Sequence, residues 1–389
     1  MEALGNLCQF LNGGTPAKSE AHFFEGEIPW ITSADITGPV AMNARSFITE
    51  QAIAASATNK VPAGSVLLVT RTGVGKVAIA GVDLCFSQDI TALIPDHARV
   101  DTAYLVHFLR TKQDYFLSMA RGATIKGITR DVVSKLELPL PSLAEQRRIA
   151  AILDKADALR AKRREALAQL DRLVQSIFVE MFGDPAGASP SFRSVPLLEL
   201  AQDGFQNGAY FPKGAYSESG IEMVHMSDAF GGVVRRGQLR RVECDGDDVA
   251  KYSLEKSDVL IARRSLTYEG AAKPCRVPDS SEPLLFESSF IRIRPDLSKV
   301  SPLFLFHYLN NERIREKFVR PFVTQSTISG INQSNLAKVP VLLPPRELQR
   351  KFELAMASLE GLSREHHRSA AELDRFFVCT QARAFQGEL

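Results

Sequence analysis

The run LPLPSLAEQRRIAAILDKADAL occupies residues 138–159 of a 389-residue chain. A proline-punctuated apolar stretch passes directly into a charged, helix-forming one. The phrase returns in altered form as VLLPPRELQRKFELAMASLEGL at residues 341–362. This recurrence decides the fold, because self-similarity at a fixed offset marks an architecture built by repetition.

Sliding the chain by 203 positions aligns residues 124–172 with 327–375 without a gap and gives fourteen identities. Ordinary composition would give roughly three by chance. The matches include Thr124/Thr327, Ile125/Ile328, Gly127/Gly330, Ile128/Ile331, Gln146/Gln349, Arg147/Arg350 and Asp171/Asp374. Upstream the offset is 200, where FSQDITALIPD (86–96) faces FESSFIRIRPD (286–296) and YLVHFL (104–109) faces FLFHYL (304–309). Further up it is 193, where GSVLLVTR (64–71) faces SDVLIARR (257–264). The offset changes only in stretches that read as loops, where insertions are tolerated. The chain is therefore a tandem duplication, each copy a globular domain followed by a helix. The copies diverge most at WITSADITGPVAMNARSF (30–47) against MVHMSDAFGGVVRRGQLRRV (223–242). A shared frame with different tips suits one binding architecture aimed at two targets. Free drift of old loops is the plainer alternative.

From Ser142 to Met181 there is neither proline nor glycine. Ser142 with Glu145 forms a capping-box signature, and Gly183 with Pro185 supplies the stop. Forty helical residues span about 60 Å, too long for burial inside one small domain. Heptad spacing gives a seam of Ile149, Leu153, Ala156, Arg160, Arg163, Leu167, Leu170, Val174, Ile177 and Met181. The second copy gives Phe352, Met356, Leu359, Ser363, His366, Ala370, Leu373, Phe377, Thr380 and Ala384. Both seams are polar in the middle, which predicts an antiparallel pair forming a spacer between two domains. The alternative is a helix folded back on its own domain. The expected fold class is mixed α/β (α+β), with two homologous recognition domains and a long antiparallel two-helix coiled-coil spacer. The predicted boundaries are 1–141 and 184–344 for the domains, the latter with a linker at 184–194. The helices are expected at 142–183 and 345–386.

Composition sets the outer limits. Hydrophobic content of 45% and charged content of 24% describe a globular chain. No apolar run reaches the roughly 18 residues of a membrane helix, and the N-terminus lacks the pattern of a signal peptide. Five scattered cysteines fit reduced thiols and a cytoplasmic setting better than a disulfide framework. A net charge of +2 means that any basic surface must be local.

Several pieces then converge on one family. PSLAEQRRIAAILD (141–154), GATIKGITRDVVSKLELPLP (122–141) and SIFVEMFGDP (176–185) resemble the junction region of type I restriction-modification specificity (S) subunits. GSVLLVTRTGVGKVAIAG (64–81) resembles the strand–loop–strand of their target recognition domains. The resemblance covers nearly the whole chain. It departs at the second junction, where Leu348 stands in place of Glu145. The resemblance implies a noncatalytic, DNA-associated subunit whose two domains each read half of a bipartite DNA target. It also implies that the helices set the gap and dock two adenine-N6 methyltransferase (M) subunits, with restriction (R) subunits as further partners. S-adenosylmethionine, ATP and Mg are then expected in the partner subunits and no cofactor in this chain. Domains held apart along a rod suit a ligand whose like-facing grooves recur roughly every 34 Å.

Other motifs fail or stay minor. TRTGVGKVA (70–78) is not a phosphate-binding loop, because Thr70 takes the first glycine position and Val77 follows the lysine. A hairpin turn presenting Arg71 and Lys76 to phosphates, or a plain structural turn, fits better. The adenine methyltransferase signature Asn/Asp-Pro-Pro-aromatic is missing. Paired Cys-x-x-Cys and His-Glu-x-x-His are missing too, so no catalytic residue and no metal site is expected. His107 and His307 sit among apolar residues and read as packing histidines. Candidate DNA contacts in the first domain are Ser33, Asp35, Arg71, Lys76, Thr124 and Lys126. In the second they are His225, Ser227, Arg263, Arg264, Gln325 and Ser326. RRGQLRR (235–241) reads either as a phosphate-neutralising edge or as a solvated charged one. The rival function is a dumbbell-shaped adaptor that holds proteins and reads no DNA.

Overall fold

The computed structural model describes residues 1–122, 125–184, 187, 192–229, 232–325 and 327–388. It divides into two compact units, Met1–Glu165 with His367–Leu389 and Ala166–His366. Each unit contains one globular domain and one end of each of two long helices.

The first domain is built on two sheets. One runs Cys8–Asn12, Ile90–Pro95, Val66–Val69, Val77–Ala80, Val40–Ala41, and the other Ser46–Ile48, Ile28–Ile31, Leu84–Phe86, Lys60–Val61. All pairings are antiparallel except Val40–Ala41 with Val77–Ala80 and Ile28–Ile31 with Leu84–Phe86. Val66–Val69 is buried along its whole length. That is why it reads as an unbroken apolar run rather than an alternating one. The second domain repeats the order as Ala201–Asn207, Phe290–Pro295, Val259–Ala262, Pro274–Arg276. Its other sheet is Arg241–Val242, Tyr216–Val224, Leu284–Phe286, and the last pair is again parallel.

Helices α1 (Thr102–Thr111) and α2 (Leu143–Phe182) have counterparts in α3 (Pro302–Asn310) and α4 (Arg346–Gln386). The α2 and α4 starts keep the 203-residue offset of the repeat. Asp101 and Ser301 cap α1 and α3, accepting the N–H groups of Tyr104 and Phe304. At the head of α2 the Ser142 hydroxyl accepts the Glu145 N–H, but the Glu145 carboxylate turns to Arg148. Only half of the expected capping box forms. At the head of α4, Leu348 packs against the domain core.

The repeated Gln-Arg dipeptide has a structural cause. Gln146 is fully buried; its Nε2 donates to Arg99 O and Pro141 O, both at 2.9 Å. Gln349 does the same with Lys299 O and Pro344 O. Each amide locks the start of a long helix to the cap of the short helix beside it. Tyr104 and Tyr308 donate to Pro139 O and Pro340 O, securing the apolar strand that leads in.

On α4, Phe352, Met356, Phe377, Thr380 and Ala384 are buried, and Leu359, Ser363, His366, Ala370 and Leu373 are half-buried. In the first seam Ile149, Leu153 and Ala156 are buried, and Leu167, Leu170 and Val174 are half-buried. Then the register changes. The buried residues at the end of α2 are Phe178 and Phe182, while Ile177 and Met181 are only half-buried. A strict heptad drifts about 20° per repeat against a straight helix, and one-residue slips accumulate near the ends. Phe178 and Phe182 meet Phe304 and Phe352 with ring centroids 5.0–5.9 Å apart. Each buried ring contributes roughly 1.5–3 kcal/mol. In the other unit α2 meets the far end of α4, where Arg160 bonds Asp374 at 2.5 Å and lies over Phe377.

His107 is buried and faces Asp154 of α2 at 2.8 Å. His307 packs edge-on against Phe352, and the position matching Asp154 is Ala357. Both are packing histidines, as expected. All five cysteines are free thiols. Among the described residues no helix is long and apolar enough to cross a membrane.

Candidate nucleic-acid interface

In the first domain, Val66–Val69 ends in a turn that the backbone shapes tightly. Gly75 N–H donates to Val69 O and Val69 N–H to Lys76 O, both at 2.9 Å. Thr72, Gly73 and Gly75 have positive φ. Val74 tucks inward, leaving Arg71, Thr72 and Lys76 exposed. A second segment is clasped to this turn. Arg121 and Gly127 exchange both backbone hydrogen bonds, at 2.9 and 3.0 Å, and Gly127 bridges Arg71 on its other side. Ile128 N–H then donates to Thr70 O at 3.0 Å. Gly127 is required here, since a Cβ would stand 3.0 Å from Thr70 O and 2.9 Å from Arg71 Cγ. The result is a short tongue whose described residues Ile125 and Lys126 are exposed, next to the exposed Arg71 and Arg121.

The second domain repeats the device bond for bond. Thr324 and Gly330 exchange hydrogen bonds at 2.8 and 3.0 Å, Arg264 pairs with Gly330, and Ile331 N–H donates to Arg263 O at 2.9 Å. Thr70 and Arg263 donate their N–H groups to Asp89 O and Ser289 O, 2.8 and 2.7 Å away. The turn itself is held differently. Glycines allow close approach in the first domain, where Gly75 lies against Gln113. In the second domain the buried Arg315 donates to the carbonyls of Glu269, Ala271 and Ala272 at 2.8–2.9 Å. Burial pulls its pKa below the ordinary arginine value, and Glu312 at 3.7 Å favours its charge. Nothing in the sequence distinguishes Arg315 from a solvated helix arginine, so it was not legible there. Arg121 was missed as well, although it lies just before the TIKGI stretch.

Some expected contacts belong to the frame. Asp35 accepts the N–H and hydroxyl of Thr32 and the Arg45 guanidinium, closing its own loop. Burial works against its charge, but these bonds hold its carboxyl below the usual range. Ser33 is buried. His225 is buried too: its ring bonds Met223 O and the Tyr216 hydroxyl at 2.9 Å, and its N–H donates to Asp228 at 2.8 Å. Asp35 and Asp228 thus close equivalent loops, each accepting the backbone N–H of the residue three positions before it. In this structure the polar groups of Ser33, Asp35 and His225 are turned into their own domains. Ser227 is exposed beside Asp228, Gln325 is exposed, and Arg263 is half-buried with its guanidinium on Ser288 O. Thr124 and Ser326 lie outside the described residues.

RRGQLRR divides its labour. Arg236 pairs with the buried Glu222 at 2.6 Å, and Arg241 donates to Gly220 O at 2.9 Å. Burial opposes the Glu222 charge, yet Arg236 and the Gly237 N–H hold its pKa down. Arg235 and Arg240 remain exposed. Two of the four arginines therefore build the loop and two face solvent. Among the described residues no group of three His, Cys, Asp or Glu side chains could hold a metal.

Comparison with known proteins agrees with the duplication. The family model for the type I restriction modification DNA specificity domain matches residues 1–170 and 206–361. The EcoR124I/EcoR124II specificity subunit of Escherichia coli is 33% identical over 165 residues, 41% of this chain and 41% of the relative. The MjaVIII specificity subunit of Methanocaldococcus jannaschii is 20% identical over 370 residues, 92% of this chain and 85% of the relative. The chain thus spans less than half the length of the E. coli relative in that alignment. The fold resembles the solved S subunit from M. genitalium, with TM-score 0.55, 17% identity, and 99% of this chain and 95% of that one covered. A chain from a solved type I R-M system assembly matches at TM-score 0.55 and 19% identity, over 100% and 97% of the two chains.

Proposed function

The chain belongs to the type I restriction modification DNA specificity family, and from that membership we propose that it is the noncatalytic sequence-reading subunit of a type I restriction-modification complex. Each domain reads one half of a bipartite DNA target through its clasped turn and tongue. The paired helices set the gap between half-sites and dock two adenine-N6 methyltransferase subunits. Double-stranded DNA, the methyltransferase subunits and restriction subunits are its partners. S-adenosylmethionine, ATP and Mg act in those partners and not here.

One observation carries the reading: the same backbone device recurs in both domains with basic side chains in place and different neighbours around it. Arg71 and Arg264 occupy the same bridged position. Around them, Arg121 and Lys126 in one copy correspond to Thr324 and Ser329 in the other. A shared cation suits phosphate, which every sequence offers; divergent neighbours suit base edges, which differ. An adaptor for proteins needs no such split between constant charge and variable polarity.

The test is binding of duplex DNA by the chain assembled with its methyltransferase subunits, over a range of salt. Specific retention with a steep inverse dependence on salt supports the reading. Assembly with protein partners and indifference to DNA would favour the adaptor.

A further inference from the structure

Ile125 and Ile328 are large apolar side chains left 61% and 51% exposed on the tips of the two tongues. They stand at equivalent positions, 203 residues apart. Their surroundings make this exposure notable. Two residues on, Gly127 and Gly330 fix the backbone against the basic turn. Three residues on, Ile128 and Ile331 are buried and anchor the tongue in the domain. In the first domain Gly122 has φ +135, and a Cβ there would meet Ile125 O at 2.2 Å. The backbone is thus shaped to deliver residue 125 to the surface, where burial within this chain gains nothing.

The two copies differ in the groups beside this isoleucine: Arg121 stands against Thr324, and the exposed Lys126 against the buried Ser329. A group common to both sites cannot carry the difference between two DNA half-sites. Its task must be one that any sequence permits. Flanking cations point to DNA as the surface it meets, and an apolar side chain there has two outlets. It can lie on a thymine methyl, which is sequence-dependent, or press between base steps, which is far less so.

We propose that Ile125 and Ile328 are paired wedges that enter the base stack of the two half-sites, deforming each duplex locally while the polar neighbours read it. The inference rests on the DNA-reading function proposed above. The wedge supplies apolar contact and holds the DNA in a deformed shape, so removing it weakens binding without altering charge neutralisation.

The test uses the chain assembled with its methyltransferase subunits and duplexes carrying its methylated motif. 2-Aminopurine is placed in turn at each base other than the methylated adenine. The wild-type complex is expected to raise fluorescence at one step in each half-site. Ile125→Ala should abolish the signal in only one half and Ile328→Ala in only the other. Each should weaken binding about tenfold with an unchanged salt slope. Arg71→Ala serves as a contrast, losing affinity and about one unit of salt slope. If both isoleucine variants keep fluorescence and affinity while Arg71→Ala loses binding, the wedge is wrong and DNA reading stands. If the isoleucine variants fail to assemble with the methyltransferase subunits, the tips meet protein and the wedge is wrong. A wild-type complex that ignores DNA overturns both readings.

Discussion

The side-chain carbonyl of Gln146 accepts the backbone N–H of Asp101 at 2.9 Å, and its copy Gln349 accepts that of Ser301 at 2.7 Å. Each amide satisfies one donor and two carbonyls that are shielded from water. Unpaired buried groups cost about 1–3 kcal/mol each. Gln146→Leu should therefore destabilise by about 2–4 kcal/mol, measured by denaturant unfolding. Amide exchange at Asp101 should accelerate. A variant with protected Asp101 and unchanged midpoint would show that the clamp is incidental.

Gly330→Ala tests the clasp. Its Cβ would stand 2.7 Å from Arg263 O, a backbone atom with little freedom to move. At Gly127 the close atoms are Arg71 Cγ at 2.9 Å, which can give way, and Thr70 O at 3.0 Å, a looser backbone approach than that at Gly330. Gly330→Ala should cost about 1–3 kcal/mol, and Gly127→Ala less. Circular dichroism should be unchanged in both, while DNA binding falls with the order of the two costs.

The Arg160–Asp374 contact should contribute little through charge. Asp374 is half exposed, and such pairs are worth under about 1 kcal/mol. Asp374→Asn should cost no more than that. Arg160→Ala should cost more, because its guanidinium also lies 4.3 Å from the Phe377 ring centre and its stem covers the seam. A double-mutant cycle separates the two; equal costs for both single variants would refute the stacking contribution.

Acid should destabilise the second unit through His307. Burial, helped by Arg276, pushes its pKa down to about 3, while the unfolded chain titrates near 6.5. Between those values the unfolded state binds the extra proton, so stability is intact above about 6.5 and falls as pH drops toward 3. The slope from this group is about 1.4 kcal/mol per pH unit. His307→Phe keeps the packing on Phe352 and should remove that slope, as followed by unfolding at pH 6 and pH 4 (about one proton difference). An unaltered slope would place the acid sensitivity elsewhere.

Much of this architecture was legible because duplication gave the sequence an internal control. Gln146/Gln349 and Gly127/Gly330 stood out as identities, and each proves to bear a bond or a close approach that admits little else. On α4 the buried positions from Phe352 to Ala384 fall on the heptad spacing. The end of α2 was not legible, because Ile177 and Phe178 are both apolar and only the facing Phe304 and Phe352 decide which one turns inward. Single side chains at the interface were least legible. Asp35 and His225 have the chemistry of readers, but their hydrogen bonds run to Thr32, Arg45, Met223 and Tyr216, partners that no local pattern reveals. Arg315 escaped for the opposite reason, since a charged helix gives no sign that one of its arginines is buried among carbonyls.

The most direct measurement is long-read sequencing of genomic DNA from cells with and without this gene, scoring N6-methyladenine by motif, and again after replacing residues 1–141 with another first domain. A bipartite motif that vanishes on deletion, and changes in one half only after the exchange, is the predicted result. A methylome unchanged by the deletion, in cells where the chain and its methyltransferase subunits are expressed, would contradict it.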